Sequence, residues 1–374
     1  MMTFVVPIFS VLIASVHNPG LVKGMPSLGH ALRAWNGKGM PPRQVTSALA
    51  HDLITLERTG GVPSMLNSRV SGFYSLMNKT RQSLRASAAT EGLDTIVTDA
   101  DLYARLGAID PRWKQRRYWS AMYQTAAPYT IYYFLRAVDR ELDVDGNIVR
   151  VPEDRRRFVT TILRTLGICT LVTILTNIAA FPIAYLLASL PARQCNYLLL
   201  FLLIPLWISI LVKTTGWLVS LQSHGVLNNA AIFLGIWDER VQLVFNRIGT
   251  YISMVHILIP FAALPLFGVL KRIDPHHMRA AAVMGATPSR AFVRVYAPQA
   301  LPGIAASILI VFVLALGLYI PPALVGGPAD QMLSGVIADG WLRAPLSVIL
   351  LTIVTVFLLL YRRALGLIAK SMAR

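Results

Sequence analysis

Five apolar stretches, at 166–188, 197–219, 248–270, 303–325 and 345–366, each come near the roughly 20 residues that a helix needs to cross about 30 Å of hydrocarbon. They predict five membrane-spanning helices. Composition agrees: 55% of the 374 residues are hydrophobic, 14% are charged, and the mean hydropathy of +0.56 exceeds what one soluble core requires. A sixth stretch, "FVVPIFSVLIASV" at 4–16, has 13 residues and no basic N-terminal flank. It reads as a first, shortened span, the second half of a helix whose start is missing; a signal-peptide core is the competing reading.

The formal net charge of +17 raises the question of nucleic acid. After residue 157, however, ten of the fifteen Lys and Arg lie in loops or a tail that one topology puts on a single side. With six spans and the N-terminus inside, Arg193, the 271–302 loop and the C-terminal tail are all cytoplasmic, as the positive-inside rule expects. The charge therefore speaks for orientation and against a nucleic-acid partner. Arg155, Arg156 and Arg157 lie on the outer side in this topology, but next to a loop longer than about 60 residues, where charge no longer dictates translocation. The two cysteines, Cys169 and Cys195, form no disulfide or metal pattern and read as small packing residues.

Residues 17–157 form an extracytoplasmic, mostly helical insertion. "TSALAHDLITLERT" offers Thr46 or Ser47 as a helix cap, with Leu49, Leu53 and Leu56 on one face. "TDADLYARLG" repeats the pattern, and 112–140 continues it at greater length. "DVDGNIV" reads as an Asp-Gly turn between two short strands; as a calcium loop it fails, because Ile148 stands where the sixth-position glycine belongs. Basic and aromatic residues interleave between 111 and 134, including Arg112, Trp113, Arg117, Tyr118 and Trp119. The spacing predicts an amphipathic helix at the headgroup boundary or packed on the spans, against the alternative of single-stranded nucleic acid.

The segment 271–302 is too polar to cross a bilayer. Asp274 can cap a helix beginning at Pro275, and Gly285 can close it in a left-handed conformation. Thr287–Pro288 repeats the start for a second helix, which Pro298 is expected to limit. Ala280, Ala281 and Ala282 leave room for another protein to approach the first helix, and arginines flank them.

"RAAAVMGATPSRAFVRVYAPQALPGI" resembles the EAA loop of binding-protein-dependent ABC importer permeases: Glu-Ala-Ala, three residues, Gly, then about a dozen residues to a Leu-Pro. Ala280, Ala281, Gly285, Ala286, Phe292, Pro298, Pro302 and Gly303 match in register, while Arg279 replaces the usual Glu and Ala297 the usual Leu. "LLIPLWISILVKTTGWLVSLQSHGVLN", "HILIPFAALPLFGVLKRID" and "ALGLYIPPALVGGP" look like spans of the spermidine/putrescine-type branch, so that the resemblance covers about 158–366. It implies an all-α polytopic membrane protein with the type I ABC importer transmembrane fold: a shortened first helix at 1–16, the insertion at 17–157, and a five-helix permease core at 158–374. It further implies a bacterial inner-membrane transport subunit, not an enzyme, for a polyamine-like small solute. Its partners would be an ABC ATPase dimer, a second permease subunit, an extracytoplasmic solute-binding protein and membrane lipid. Arg279, Ala280, Ala281, Gly285, Ala286 and Pro298 would couple to the ATPase. No G-x-x-x-x-G-K-[ST] loop is present, so ATP and Mg belong to that partner chain, and this one binds no cofactor or metal.

Polar groups inside spans are costly and mark candidate pathway positions. Lys213 either lines the path or snorkels to the outer interface. Asn177 is expected to make an interhelical hydrogen bond, with solute contact as the alternative. Trp217 and Tyr319 face a solute cavity or serve as belt and packing residues. Pro182, Pro205, Pro260, Pro265, Pro321 and Pro322 are expected to kink helices. The five spans hold no carboxylate, which leaves an opine, an amino acid derivative or a phosphonate as alternative solutes. A secondary transporter is the more remote reading; it would show internal repeats and a midplane carboxylate, and neither is found.

Overall fold

The computed structural model describes residues 2–57, 59–339 and 342–372. The chain divides into two units, Met1–Arg156 and Arg157–Arg374.

The first unit holds α1 (Met2–Val16), α2 (Gly20–Gly24), α3 (Pro26–Ala34), α4 (Arg43–Thr55), α5 (Val62–Asn67), α6 (Phe73–Glu91), α7 (Leu93–Thr98), α8 (Leu102–Ile109), α9 (Arg116–Ala126) and α10 (Tyr132–Ala137). At 1.5 Å per residue, the 15 residues of α1 reach roughly 22 Å, short of a full bilayer. Strands β1 (Arg140–Leu142) and β2 (Ile148–Arg150) pair antiparallel through Glu141 and Val149, and Gly146, at φ +83°, makes the turn predicted from "DVDGNIV".

Three local expectations for this unit are corrected. Helix α4 starts three residues before Thr46, behind the extended backbone of Pro42. The Thr46 and Ser47 hydroxyls donate instead to the carbonyls of Arg43 and Val97, so they are interior residues and not caps. The long helix expected over 112–140 is a 3₁₀ turn (Pro111–Lys114) followed by α9 and α10. The break falls at Ala127, whose extended backbone is what a following proline, Pro128, demands.

The basic-aromatic run is core and not a headgroup-seeking helix. Trp113, Tyr118 and Trp119 are at most 1% exposed, among Leu28, Leu49, Phe73 and Leu84. Their polar tips have partners inside the unit: Trp113 Nε1 donates to Thr80 Oγ1 at 2.8 Å, and Trp119 Nε1 to the Trp113 carbonyl at 2.7 Å. An aromatic ring buries most area when it is enclosed on all sides, and these rings are.

The second unit holds α11 (Phe158–Ser189), α12 (Ala192–Trp207), α13 (Ile210–Ser220), α14 (Val226–Phe233), α15 (Arg247–Leu270), α16 (Pro275–Val283), α17 (Pro288–Ala291), α18 (Ala297–Gly317), α19 (Ile320–Leu324), α20 (Leu333–Asp339) and α21 (Arg343–Met372). Among the described residues, four helices are long and apolar enough to cross a membrane: Phe158–Ser189, Arg247–Leu270, Pro288–Gly317 and Arg343–Gly366. Helices α11, α15 and α18 share one core, in which small residues (Cys169, Ala262, Ala263, Ala300, Ala315) let backbones approach. A Cβ at Gly303 would lie 2.9 Å from the Val269 side chain, so α15 and α18 meet where only glycine fits. Both cysteines are buried and free.

Two predicted straight spans are broken. The stretch 197–219 is α12 and α13, set at 95° to each other. Pro205 removes a donor from the last turn of α12, Ile208 and Ser209 are extended, and Ser209 Oγ accepts from Leu211 N to cap α13. The stretch 303–325 ends as a helix at Gly317 and restarts as α19, because Pro321 and Pro322 can open a helix but not continue one. Conversely, Pro298 does not limit the second loop helix. A π-helical turn, Phe292–Tyr296, widens the backbone just before it, and helix continues to Gly317.

Candidate docking loop and transport path

The 271–302 loop is assembled from its caps inward. Asp274 Oδ1 accepts from His276 N at 2.8 Å, Pro275 takes the first helical position, and α16 follows with no buried residue. Its end is a Schellman motif: Ala286 N donates to the Ala281 carbonyl and Gly285 N to the Ala282 carbonyl, both at 3.0 Å. Gly285 has φ +82° and nothing within 4 Å of a Cβ placed on it, so this position needs glycine for its backbone and not for space.

Three contacts fasten the loop to the spans. Lys271 Nζ donates to the carbonyls of Ala188 and Leu190, each at 3.2 Å, closing the end of α11. His277 Nδ1 and Gln299 Oε1 are 3.0 Å apart, joining α16 to α18. Phe292 and Tyr296 stack at 5.5 Å and meet Phe181 and Tyr185 of α11 edge-on, at 6.2 and 5.4 Å.

The outward surface is therefore presented on a fixed frame. Arg279, Ala280 and Gly285 are exposed, Ala281 and Ala286 half-buried, and Pro298 half-buried within the continuous helix. Sequence reasoning missed the most exposed large apolar side chains of the loop, Val283 and Met284, at 89% and 87%. Their signal was an apolar pair at the end of a short polar helix.

The helix break at 207–210 positions the pathway candidates. Lys213 and Trp217, both half-buried, are four residues apart on one face of α13. Trp217 Nε1 donates to His256 Nδ1 of α15 at 3.1 Å, with ring centroids 5.2 Å apart. This makes Nδ1 the acceptor and leaves Nε2 as the other polar atom of the His256 ring. His256 also borders a cavity of about 350 Å³ among α11, α12 and α15, lined otherwise by apolar residues such as Leu187, Phe201 and Pro260. It went unnoticed in the sequence, although a histidine inside an apolar run was the available signal.

Asn177 Nδ2 donates to the Thr173 carbonyl within α11, and among the described residues its amide makes no interhelical bond and its buried Oδ1 has no partner. The hydroxyls of Thr176 and Ser307 are likewise buried and unpaired among the described residues. Tyr319 is 43% exposed, just before α19.

At the end of the unit away from the docking loop, residues 325–333 are clasped to α11 and α15. Phe245 N donates to the Val325 carbonyl at 2.7 Å, Arg164 donates to the Gln331 carbonyl, and Thr165 Oγ1 accepts from Leu333 N at 2.8 Å. Asp330 adds an ion pair with Arg247 and accepts from Gly327 N.

Apolar helices around a shared core, one of them bent, with a capped polar helix offered at one end, define a polytopic transport permease. Residues 175–374 match the family described as binding-protein-dependent transport system inner membrane component, and the chain belongs to that family. It is a multi-pass inner-membrane permease subunit of a bacterial ABC importer, with the type I transmembrane fold, and its transport depends on a binding protein.

Similar curated proteins include the spermidine/putrescine transport system permease protein PotB of Escherichia coli (strain K12), 29% identical over 221 residues, 57% of this chain and 80% of that one. The PotB protein of Salmonella typhimurium (strain LT2) is 29% identical over 223 residues, covering 58% and 78%. The inner membrane ABC transporter permease protein YdcU of Escherichia coli (strain K12) is 33% identical over 181 residues, covering 45% and 57%. Among solved structures, a bacterial ABC transporter involved in the import of alginate aligns with TM-score 0.42 and 21% identity, over 55% of this chain and 79% of that one.

Proposed function

We propose that this permease takes up a polyamine-like solute, of the spermidine/putrescine kind, released to it by an extracytoplasmic binding protein. The observation that carries the transport mechanism is α16, a capped helix with no buried residue, tied to the spans at its start through Lys271 and His277. Such a helix fits a groove on a separate ATPase. Ala280 and Ala281 allow close approach, Val283 and Met284 supply apolar contact area, and Arg279 supplies a charge for an acidic or carbonyl group on the partner. ATP and Mg then belong to an ATPase dimer, and this chain catalyses no reaction.

Movement of the docked helix reaches α11 through Lys271 and the Phe292–Tyr296 rings, and α18 through Gln299. Closing of the ATPase dimer would rock this subunit against a second permease subunit. Exposed Phe201 and Trp207 of α12, 75% and 81% accessible, suit lipid or that second subunit. In this arrangement α16 is cytoplasmic, α1 is a shortened first span, and residues 17–157 are the extracytoplasmic insertion.

Lys213 beside the Trp217–His256 pair favours a second solute class, an opine, amino acid derivative or phosphonate with an acidic group. Co-purification of the tagged protein from native membranes tests the assembly: an ATPase and a second permease should accompany it, and recovery of the folded chain alone would refute it. Uptake by the reconstituted complex of labelled spermidine against an acidic amino acid derivative then decides the solute.

A further inference from the structure

The cavity beside His256 is built entirely from the apolar stretches. Its lining comes from residues 183–187, 198–205 and 256–260, and each of these segments falls inside one of the stretches 166–188, 197–219 and 248–270. Among the described residues of α12, Cys195 alone is buried, so this helix covers α11 and α15 without closing on them. The space left is about 350 Å³, at the small end of the roughly 300–1,000 Å³ of ligand sites. Leu187 and Pro260 form a buried wall, whereas Leu186, Leu198 and Phe201 are exposed and make an open rim.

The cavity has a direction. Its rim lies next to the turn that joins α11 to α12, with Leu186 shortly before that turn and Leu198 shortly after it. Pro260, on the wall, precedes Leu270 at the end of α15 by ten residues, or roughly 15 Å at 1.5 Å per residue. That is about half of the 30 Å of hydrocarbon that a span crosses. At such a depth the occupant has to be apolar. Water would meet one polar side chain, the His256 imidazole, whose Nδ1 is already taken by Trp217, where an ordered water needs roughly two to four partners. An empty space would leave the lining without contacts on one side.

Two cations stand at the open end. Arg193, in the first turn of α12, is exposed, and Arg193, Tyr197 and Phe201 follow one another at four-residue spacing along that helix. Lys271 Nζ donates to the Leu190 carbonyl at 3.2 Å, which holds its charge at the same turn. Neither has an ion pair among the described residues. We propose that the cavity holds one acyl chain of an anionic phospholipid, whose phosphate is met by Arg193 and Lys271 at the α11–α12 turn. The chain fills the gap between α12 and its neighbours, so the lipid steadies the helix whose bend positions Lys213 and Trp217. The inference rests on the membrane placement of the spans, and on neither the solute nor the ATPase.

The test begins with the purified full-length protein in maltoside micelles, titrated with phosphatidylglycerol or with phosphatidylcholine of the same chains, while native mass spectrometry counts the bound lipid. One phosphatidylglycerol should be retained roughly tenfold more tightly than phosphatidylcholine, and Arg193→Gln should reduce that preference several-fold. Equal retention of the two lipids, or a preference that Arg193→Gln leaves intact, would overturn the proposal.

Phosphatidylglycerol carrying a diazirine in its acyl chain then locates the tail. After illumination, labelled peptides should be richer in 183–187, 198–205 and 256–260 than in the exposed Leu359–Leu360 region of α21. Leu202→Trp fills the cavity and should remove the first three signals while the α21 signal stays; Ile259→Phe serves the same purpose if Leu202→Trp does not fold. Labelling no denser in the cavity than on α21, or unaffected by a filling variant that folds, would refute the assignment. So would cavity labelling that appears in the purified protein but is absent in native membranes of cells fed a diazirine fatty acid, since another protein chain would then occupy the space.

Discussion

Arg247 Nε donates to Asp330 Oδ1 at 2.8 Å, joining the first residue of α15 to a carboxylate only 5% exposed. The other oxygen of Asp330 takes Gly327 N at 3.1 Å, so one side chain holds both the helix start and the turn beside α20. Arg247 is half-exposed and can return to water, whereas the Gly327 N–H cannot easily find another acceptor. Asp330→Ala should therefore cost about 2 kcal/mol, within the range for hydrogen bonds to charged groups. It should also speed maleimide labelling of a cysteine placed at Gln331. Unchanged labelling would mean that Arg164 and Thr165 hold this segment without Asp330.

At Gly285 the constraint is φ, with open space around the missing Cβ. Substitutions should then rank by tolerance of the left-handed region and not by size alone. Asn should come close to wild type, Ala should cost about 1 kcal/mol of loop stability, and Val should cost more. Solute-stimulated ATPase activity of the assembled complex should fall in that order. Because α16 buries nothing, the melting temperature of the subunit itself should stay where it is. A ranking by side-chain volume, with Asn as damaging as Val, would argue for direct crowding by the partner.

The Trp217–His256 bond offers a test of the proposed pathway. Trp217→Phe keeps a ring but removes the donor, and should raise the KM for uptake by tenfold or less, the scale of one neutral hydrogen bond. Lys213→Met should raise KM as well, with ATPase coupling unaltered. Uptake kinetics indifferent to Lys213→Met would place that ammonium at the interface and outside the path.

Acid should loosen the first unit through Asp110. The Arg112 guanidinium, with Lys79 behind it, holds this carboxyl well below the usual carboxylate range. A folded-state pKa below the unfolded value contributes stability that is complete above about pH 4 and is lost as pH falls toward the folded value. Trp113 and Trp119 fluorescence should report unfolding as pH drops below about 4. Asp110→Asn should lower stability at neutral pH and flatten that acid dependence; an equally steep acid transition would assign it to other carboxylates.

Much of this protein follows from local rules that a sequence displays. Apolar length identified the spans, because lipid requires about 20 residues of helix whatever surrounds them. Capping chemistry placed α16 to the residue: Asp274, Pro275 and Gly285 act within one or two positions of their own backbone, so the loop was legible before any packing was known. The Asp-Gly hairpin was legible for the same reason.

What the tertiary structure decided depends on contacts between distant segments. The 95° bend between α12 and α13 brings Trp217 to His256, 39 residues away, and no local pattern records that meeting. Pro298 carries the same local signal as a helix breaker, yet a π-helical turn before it lets the helix run on. Trp113, Tyr118 and Trp119 read as a membrane-seeking face because amphipathicity states that a surface must be buried, not against what. Only the folded first unit shows that it is buried against itself, around Leu28, Leu49, Phe73 and Leu84.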